Sequence, residues 1–234
     1  MSDLTSLIDA TEQTLTRIAA DFSPAVFASS LAAEDMVLTD AILRGSPAVR
    51  AGIRVFTLNT GRLHAETLAV LDKVETHYGY TIEQFTPDQE AVENYLKKNG
   101  LNAFYDSVDL RKSCCGIRKV EPLNRALSHA DAWMTGQRRE QAVTRAELPF
   151  EETDESRGIP KFNPLADWTE AEVWAYLSRH NVPVNALHEK GYPSIGCEPC
   201  TRAVKAGEDV RAGRWWWESK DSKECGLHEQ NVKH

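Results

Sequence analysis

The stretch AVFASSLAAEDMVLTDAILRG, residues 25–45, holds the repeating unit of the fold. AVFAS (25–29) is a short apolar run bounded by serines, which predicts a buried strand. Residues 34–45, EDMVLTDAILRG, are apolar at helical spacing and stop at a glycine, which predicts a helix. Small residues join the two. The same alternation extends in both directions. Leu4, Leu7, Ile8, Leu15 and Ile18 predict a helix over the first ~20 residues. IRVFTL (53–58), YTIEQF (80–85) and DAWMTG (131–136) read as strands. HAETLAVLDKVETHYG (64–79), DQEAVENYLKKNG (88–100), the segment from Cys114 to about Leu127, and WTEAEVWAYLSRH (168–180) read as helices. Thr169 and Glu172 have capping-box spacing at the start of the last one. Strands alternating with helices imply the α/β class: a mostly parallel sheet with helices on both faces. Residues 1–190 form that α/β domain. After Gly191 the pattern turns irregular, so 191–234 reads as an extension, not an independent domain.

The chain has 234 residues, 41% of them hydrophobic, and a net charge of −8. This suits one large globular domain with an appended segment. No run approaches the roughly 18 apolar residues of a membrane span. The N-terminus MSDLTSLIDATEQ is acidic and lacks a signal-peptide pattern, so the expectation is a cytoplasmic protein without membrane association. The negative charge argues against non-specific nucleic-acid binding. The charge is unevenly spread, however. Between 111 and 145, eight basic residues face three acidic ones. Between 201 and 214, Arg202, Lys205, Arg211 and Arg214 face Glu208 and Asp209. Such clusters suit a small polyanion, because guanidinium groups grip phosphate or sulfate oxygens in pairs. Ligands of parallel sheets bind at the carboxyl ends of the strands. Three polar loops leave those ends: FASSLAAED (27–35) with Ser29 and Ser30, LNTGRLHAET (58–67), and TGQRREQAVTR (135–145) with Arg138, Arg139 and Arg145. The first suits an anion resting on backbone N–H groups, or an ordinary strand–helix turn with a serine cap. RWWWE (214–218) reads as core more than as a stacking surface.

The five cysteines divide as four plus one. Cys114 and Cys115 are adjacent, and Cys197 and Cys200 form a C-x-x-C pair. Four thiolates suit a zinc ion or an iron–sulfur cluster, with buried free thiols as the alternative. A contiguous pair favours [4Fe–4S] over zinc, because neighbouring residues can each reach a different iron. Cys225, in KECGLHEQNVKH, is left over. It is either a reactive thiolate or an incidental tail cysteine.

KSCCGIRK, CEPCTRAV and KECGLH, with LNTGRLHAET and TGQRREQ, resemble the motifs of iron–sulfur-containing sulfonucleotide reductases, and among them the assimilatory adenosine 5′-phosphosulfate (APS) reductases. The resemblance runs from about residue 23 to 228, and the order and spacing of the three cysteine motifs make it specific. It implies an adenine-nucleotide α-hydrolase-like fold related to ATP pyrophosphatases, with 1–190 the nucleotide-binding domain. It implies one [4Fe–4S] cluster on Cys114, Cys115, Cys197 and Cys200. It also implies attack of Cys225 on APS, release of AMP, and an S-sulfonate resolved to sulfite by thioredoxin or a glutaredoxin-like reductant. By the same resemblance Lys119 lies between cluster and substrate, and Arg211, Arg214 and His228 contact the phosphosulfate. Ser29 or Ser30 touches the same group. Leu58 and Thr60 fall where adenine is read through the backbone. Gly136 and Arg145 match ribose- and phosphate-side positions, and Arg138 and Arg139 belong to the same substrate loop. Two departures stand out. SSLAAED lacks the double glycine of the SGGxDS pyrophosphatase motif, which counts against ATP pyrophosphatase or adenylyltransferase activity. Asn59 stands where many relatives carry Asp. Reduction of 3′-phospho-APS (PAPS), dual specificity, and a four-cysteine zinc module are the other readings. A homo-oligomer is compatible with the sequence.

Overall fold

The computed structural model describes residues 4–142 and 145–219. Six strands form one sheet: β1 (Ala25–Ala28), β2 (Ile53–Leu58), β3 (Glu83–Phe85), β4 (Ala132–Met134), β5 (Glu151–Asp154) and β6 (Ile159–Phe162), in the order β3-β2-β1-β4-β6-β5. β1 runs parallel to β2 and β4, with Phe27 opposite Val55 on one side and Met134 on the other. β4 runs parallel to β6, and β5 closes the edge antiparallel to β6. Val26 and Phe27 are adjacent, so they point to opposite faces, and both are fully buried. The central strand is therefore covered on both sides, as a parallel sheet requires. The fold class expected from the sequence is the one observed.

By its contacts the chain divides into two compact units. The first comprises Met1–Thr57, Ala65–Glu83 and His129–Glu189. Its helices are α1 (Leu4–Asp21), α2 (Ala33–Leu43), α3 (Pro47–Gly52), α4 (Ala65–Tyr78) and α8 (Glu170–Arg179). Helix α2 is buried almost all round, which its apolar circumference anticipates. It packs on α1, α3 and α8. Asp40 is a deeply buried carboxylate of this helix; it lies 3.7 Å from Arg44 Nη1 and accepts from Tyr78 Oη at 2.7 Å and Tyr176 Oη at 2.8 Å. Burial raises both phenols, and the bonds to Asp40, which favour the protonated form, add to the rise, so both tyrosines are pushed far above their ordinary pKa. The Thr169–Glu172 capping box is present.

The second unit is assembled from Leu58–His64, Gln84–Ser128 and Lys190–His234. Among the described residues, the segment from Lys190 to Ser219 is one of three in it. Here α5 (Gln89–Asn99) is followed by α6 (Val108–Cys115), a π-helical turn (Gly116–Val120) and α7 (Glu121–Leu127). One core cluster of this unit joins Phe104, Trp215, Cys197 and Cys200, with Cys114 and Trp217 against it, and Leu123, Ala126 and Leu127 of α7 are buried as well.

The sequence reading differs from the structure in several elements. The helix foreseen from Cys114 begins earlier, at Val108, where Ser107 Oγ caps it by accepting from Leu110 N at 3.1 Å. α3, β5 and β6 were not foreseen. EETD and IPKF carry no apolar alternation, and Pro160 argues against a strand. Its missing N–H is tolerated because pairing of β6 with β4 starts only at Lys161. YTIEQF shortens to Glu83–Phe85. No helix among the described residues is long and apolar enough to cross a membrane.

Candidate functional site

In the second unit, the four described cysteines line one cavity. Cys114 and Cys115 end α6, where the chain widens into the π turn, a feature that recurs at functional sites. Cys197 is extended and bridges to Leu63, and Cys200 closes a 3-10 turn over Pro199. Thr60 Oγ1 lies 3.2 Å from Cys197 Sγ. Arg118 Nη1 donates to Thr60 O at 2.7 Å, and Glu198 N donates to Arg62 O at 2.8 Å. The 58–64 loop is thus stitched to both cysteine segments.

Five cations line the same cavity: Arg62, Arg111, Arg118, Lys119 and Arg214. Burial pushes the Cys200 thiol up to about 12, and Cys197 adds to the rise, while Lys119 and Arg214 pull it down. Burial likewise raises Cys114, against the pull of Arg118. The donor set is therefore soft, desolvated and ringed by positive charge. That fits an anionic thiolate-bound iron–sulfur cluster, because the cations balance charge that burial alone would disfavour. No three His, Cys, Asp or Glu side chains among the described residues are gathered as ligands of a single metal ion.

The cavity wall is braced from behind. Trp215 is 1% exposed, and its backbone lies in the left-handed region at φ +42. Arg111 and Arg214 each stack 4.7 Å from its ring centroid. Arg111 also binds Glu218 through two bonds of 2.9 and 2.8 Å, both side chains being almost fully buried. Gly196 lets the Arg214 guanidinium lie flat, since a Cβ there would come within 2.7 Å of Cζ. Of the three tryptophans, Trp215 is core as expected, while Trp216 is exposed. Arg211 lies four residues before Trp215, its backbone N donating to Asp209 Oδ1 at 2.8 Å. Leu58 ends β2, and Asn59 follows in a turn whose side-chain oxygen accepts from Gly61 N at 3.1 Å.

In the first unit, the loops after β1 and β4 leave from the same end of two parallel neighbours. The backbone amides from Ser29 to Ala33 meet acceptors of the protein itself, as in the strand–helix turn with serine caps that the sequence offered beside an anion loop. Ser29 N donates to Phe56 O at 2.8 Å, and Ser30 N to Asp35 Oδ2 at 2.6 Å. Leu31 N and Ala32 N reach Ser29 Oγ and Ser30 Oγ at 3.3 and 3.4 Å, and Ala33 N reaches His188 Nε2 at 3.1 Å. The cause is local: side-chain acceptors at 29, 30, 35 and 188 compete for the amides an anion would use. Arg138 is buried and forms ion pairs with Glu34 and Glu140, each at 2.9 Å. Arg139 pairs with Asp167 and donates to Leu148 O at 2.7 Å. Both arginines thus spend donors on their own unit. Arg145 Nη1 donates to Gln141 Oε1 at 2.5 Å. Sequence reasoning missed Asp35, the Thr60–Cys197 contact and the Arg111–Glu218 pair. Each depends on a partner distant in sequence or on a side-chain direction. Cys225 and His228 lie outside the described residues.

Residues 24–203 match the model of the phosphoadenosine phosphosulfate reductase domain. The chain is 65% identical over 227 residues to the adenosine 5′-phosphosulfate reductase of Burkholderia cepacia, covering 97% of this chain and 89% of that protein. It is 56% identical over 214 residues to the enzyme of the same name from Allochromatium vinosum, covering 92% and 82%. Among solved structures, the phosphoadenylyl-sulfate (PAPS) reductase of Candida auris, in a phosphate complex, superposes with TM-score 0.70 at 28% identity, over 87% of this chain and 98% of that one. Yeast FAD synthetase, at 15% identity and TM-score 0.60 over 86% and 67% of the two chains, shares the fold. The motifs, the fold and these likenesses agree: the chain belongs to the phosphoadenosine phosphosulfate reductase domain family.

Proposed function

We propose that the chain reduces adenosine 5′-phosphosulfate to sulfite and AMP in assimilatory sulfate reduction. The observation that carries this reading is one cavity lined by Cys114, Cys115, Cys197 and Cys200 together with Lys119 and Arg214. It occurs in a chain 65% identical to a protein named APS reductase. The four thiols would hold one [4Fe–4S] cluster. When bound, the cluster supplies a fixed local field and a scaffold for the surrounding cations.

The Cys225 thiolate attacks the sulfuryl sulfur of APS. The sulfur–oxygen bond breaks, its electron pair leaves on the phosphate of AMP, and Cys225 retains an S-sulfonate. Lys119, Arg211, Arg214 and His228 neutralise the phosphosulfate and the charge that builds on the leaving phosphate. Ser29, Ser30, Leu58, Thr60, Gly136 and Arg145 hold the nucleotide, and Arg138 and Arg139 shape its loop. A thiolate of a thioredoxin-type dithiol then attacks the Cys225 sulfur. Sulfite leaves, and the partner's second thiol completes a disulfide on the partner.

Intact-mass spectrometry of anaerobically purified protein tests the reading. Incubation with APS and no reductant is expected to add one sulfonate to Cys225, and Cys225→Ser is expected to add none. Absence of the adduct in iron-loaded protein would refute the covalent route. The fold of the Candida auris PAPS reductase keeps PAPS as a second substrate reading. An adduct with PAPS as well as APS would establish dual specificity.

A further inference from the structure

The first turn of α2 carries two carboxylates, Glu34 and Asp35, and both turn back onto the loops that follow β1 and β4. Asp35 Oδ2 accepts from Ser30 N at 2.6 Å and from Ser30 Oγ at 2.5 Å. Its carboxylate also accepts from the backbone N–H of Gly136. Residue 136 has no room for a side chain: a Cβ there would fall deep inside contact distance of Asp35 Oδ1. Glu34 Oε1 accepts from Arg138 Nη2 and from Gln141 Nε2, both at 2.9 Å. The β1 loop meanwhile contains a fully buried leucine in the left-handed region, Leu31 at φ +63. A branched-chain residue holds that conformation only where its surroundings over-determine it. The two bonds from Ser30 to Asp35, immediately before Leu31, supply that constraint.

We infer that Asp35 is a positioning residue for nucleotide binding: it latches the Ser29–Ser30 loop to Gly136 and so sets the spacing of two loops that grip the substrate. The inference rests on the substrate contacts proposed above for Ser29, Ser30 and Gly136. Asp35 is 8% exposed, and all three of its named donors belong to those loops. Its carboxylate therefore acts through them and not on the reacting sulfur. Asn at this position keeps the shape but sets an amide N–H₂ against one of the N–H donors, so one loop must move. Alanine at 136 pushes the carboxylate away from the opposite side.

The test compares wild type, Asp35→Asn, Gly136→Ala and the double variant Asp35→Ala/Gly136→Ala as full-length, cluster-loaded protein. AMP affinity is measured by calorimetry, and KM and kcat for APS are measured separately. Asp35→Asn is expected to weaken AMP binding and raise KM about ten-fold while kcat stays within about three-fold. Gly136→Ala is expected to do the same. The double variant is expected to be no worse than Gly136→Ala, because the collision partner is gone and the two changes remove one interaction. Unchanged or tighter AMP binding in Asp35→Asn would overturn the inference, as would a fall in kcat alone or strict additivity in the double variant. If Asp35→Asn does not fold, Gly136→Ala and the double variant decide the question. If wild type itself binds neither AMP nor APS, the functional reading fails and not merely the latch.

Discussion

Asp35 shows how one side chain records the conflict between burial and hydrogen bonding. Burial pushes its carboxyl up to about 6, while the bonds from Ser30 and the Gly136 N–H pull it down. Glu34, its neighbour on the same turn, adds to the rise. The folded-state value is above the unfolded one of 3.8, so the unfolded chain gives up this proton more readily. The stabilisation is therefore complete below about pH 4 and is lost as pH rises through about 6. Asn does not titrate. The unfolding free energy of wild type is thus expected to gain on that of Asp35→Asn by on the order of 3 kcal/mol as pH falls from 7.5 to 4. Urea titrations of both proteins across that range measure it, and a pH-independent difference would show that Asp35 is not held in this environment.

At the scale of elements, α6, the π turn and α7 present two adjacent cysteines to one cavity. On a straight α-helix neighbouring side chains diverge by about 100°, since 3.6 residues complete a turn. The wider turn begins at Gly116, directly after the pair. α6 is tied to the segment after Trp215 by the Arg111–Glu218 pair, whose side chains are 0% and 3% exposed. Removing one member of such a pair strands a buried charge, which costs about 3–5 kcal/mol. Glu218→Ala is expected to lose stability on that scale in chemical denaturation. It is also expected to lose much more than Glu208→Ala, which breaks a half-exposed pair with Arg202. Equal losses would mean that the Arg111 pair does not brace the cavity.

For the whole molecule, the two units differ in what holds them together. The first has a continuous apolar core running from Leu15 through Phe27, Val55 and Met134 to Tyr176. In the second, one described cluster is built of aromatic side chains and thiols. A cluster containing thiols gains cohesion from whatever bridges them. Removing iron with a chelator is expected to erase hydrogen-exchange protection in 108–127 and 195–218 while β1, β2 and α2 stay protected. Unchanged protection in 108–127 and 195–218 would show that these segments do not depend on the proposed cluster, and uniform loss that the dependence is not confined to them. Oxidation of the freed thiols is avoided by working anaerobically with a reductant present.

The sequence by itself determined the α/β class, the β1–α2 unit, the capping box at Thr169, and the identity of the four cavity cysteines. These are local properties: apolar spacing, turn residues and thiol chemistry act within a few positions of the chain. The β5–β6 hairpin was illegible because its residues do not alternate and its strand character comes from pairing. Arg138 and Arg139 read as ligands for an anion because their charge is visible in sequence, whereas their partners Glu34 and Asp167 are brought to them only by folding. The same holds for Asp35 against Gly136, for Thr60 against Cys197 and for Arg111 against Glu218. Tertiary structure alone decided these contacts, because a hydrogen bond is fixed by distance and direction to within a few tenths of an ångström, and no pattern along the chain specifies either.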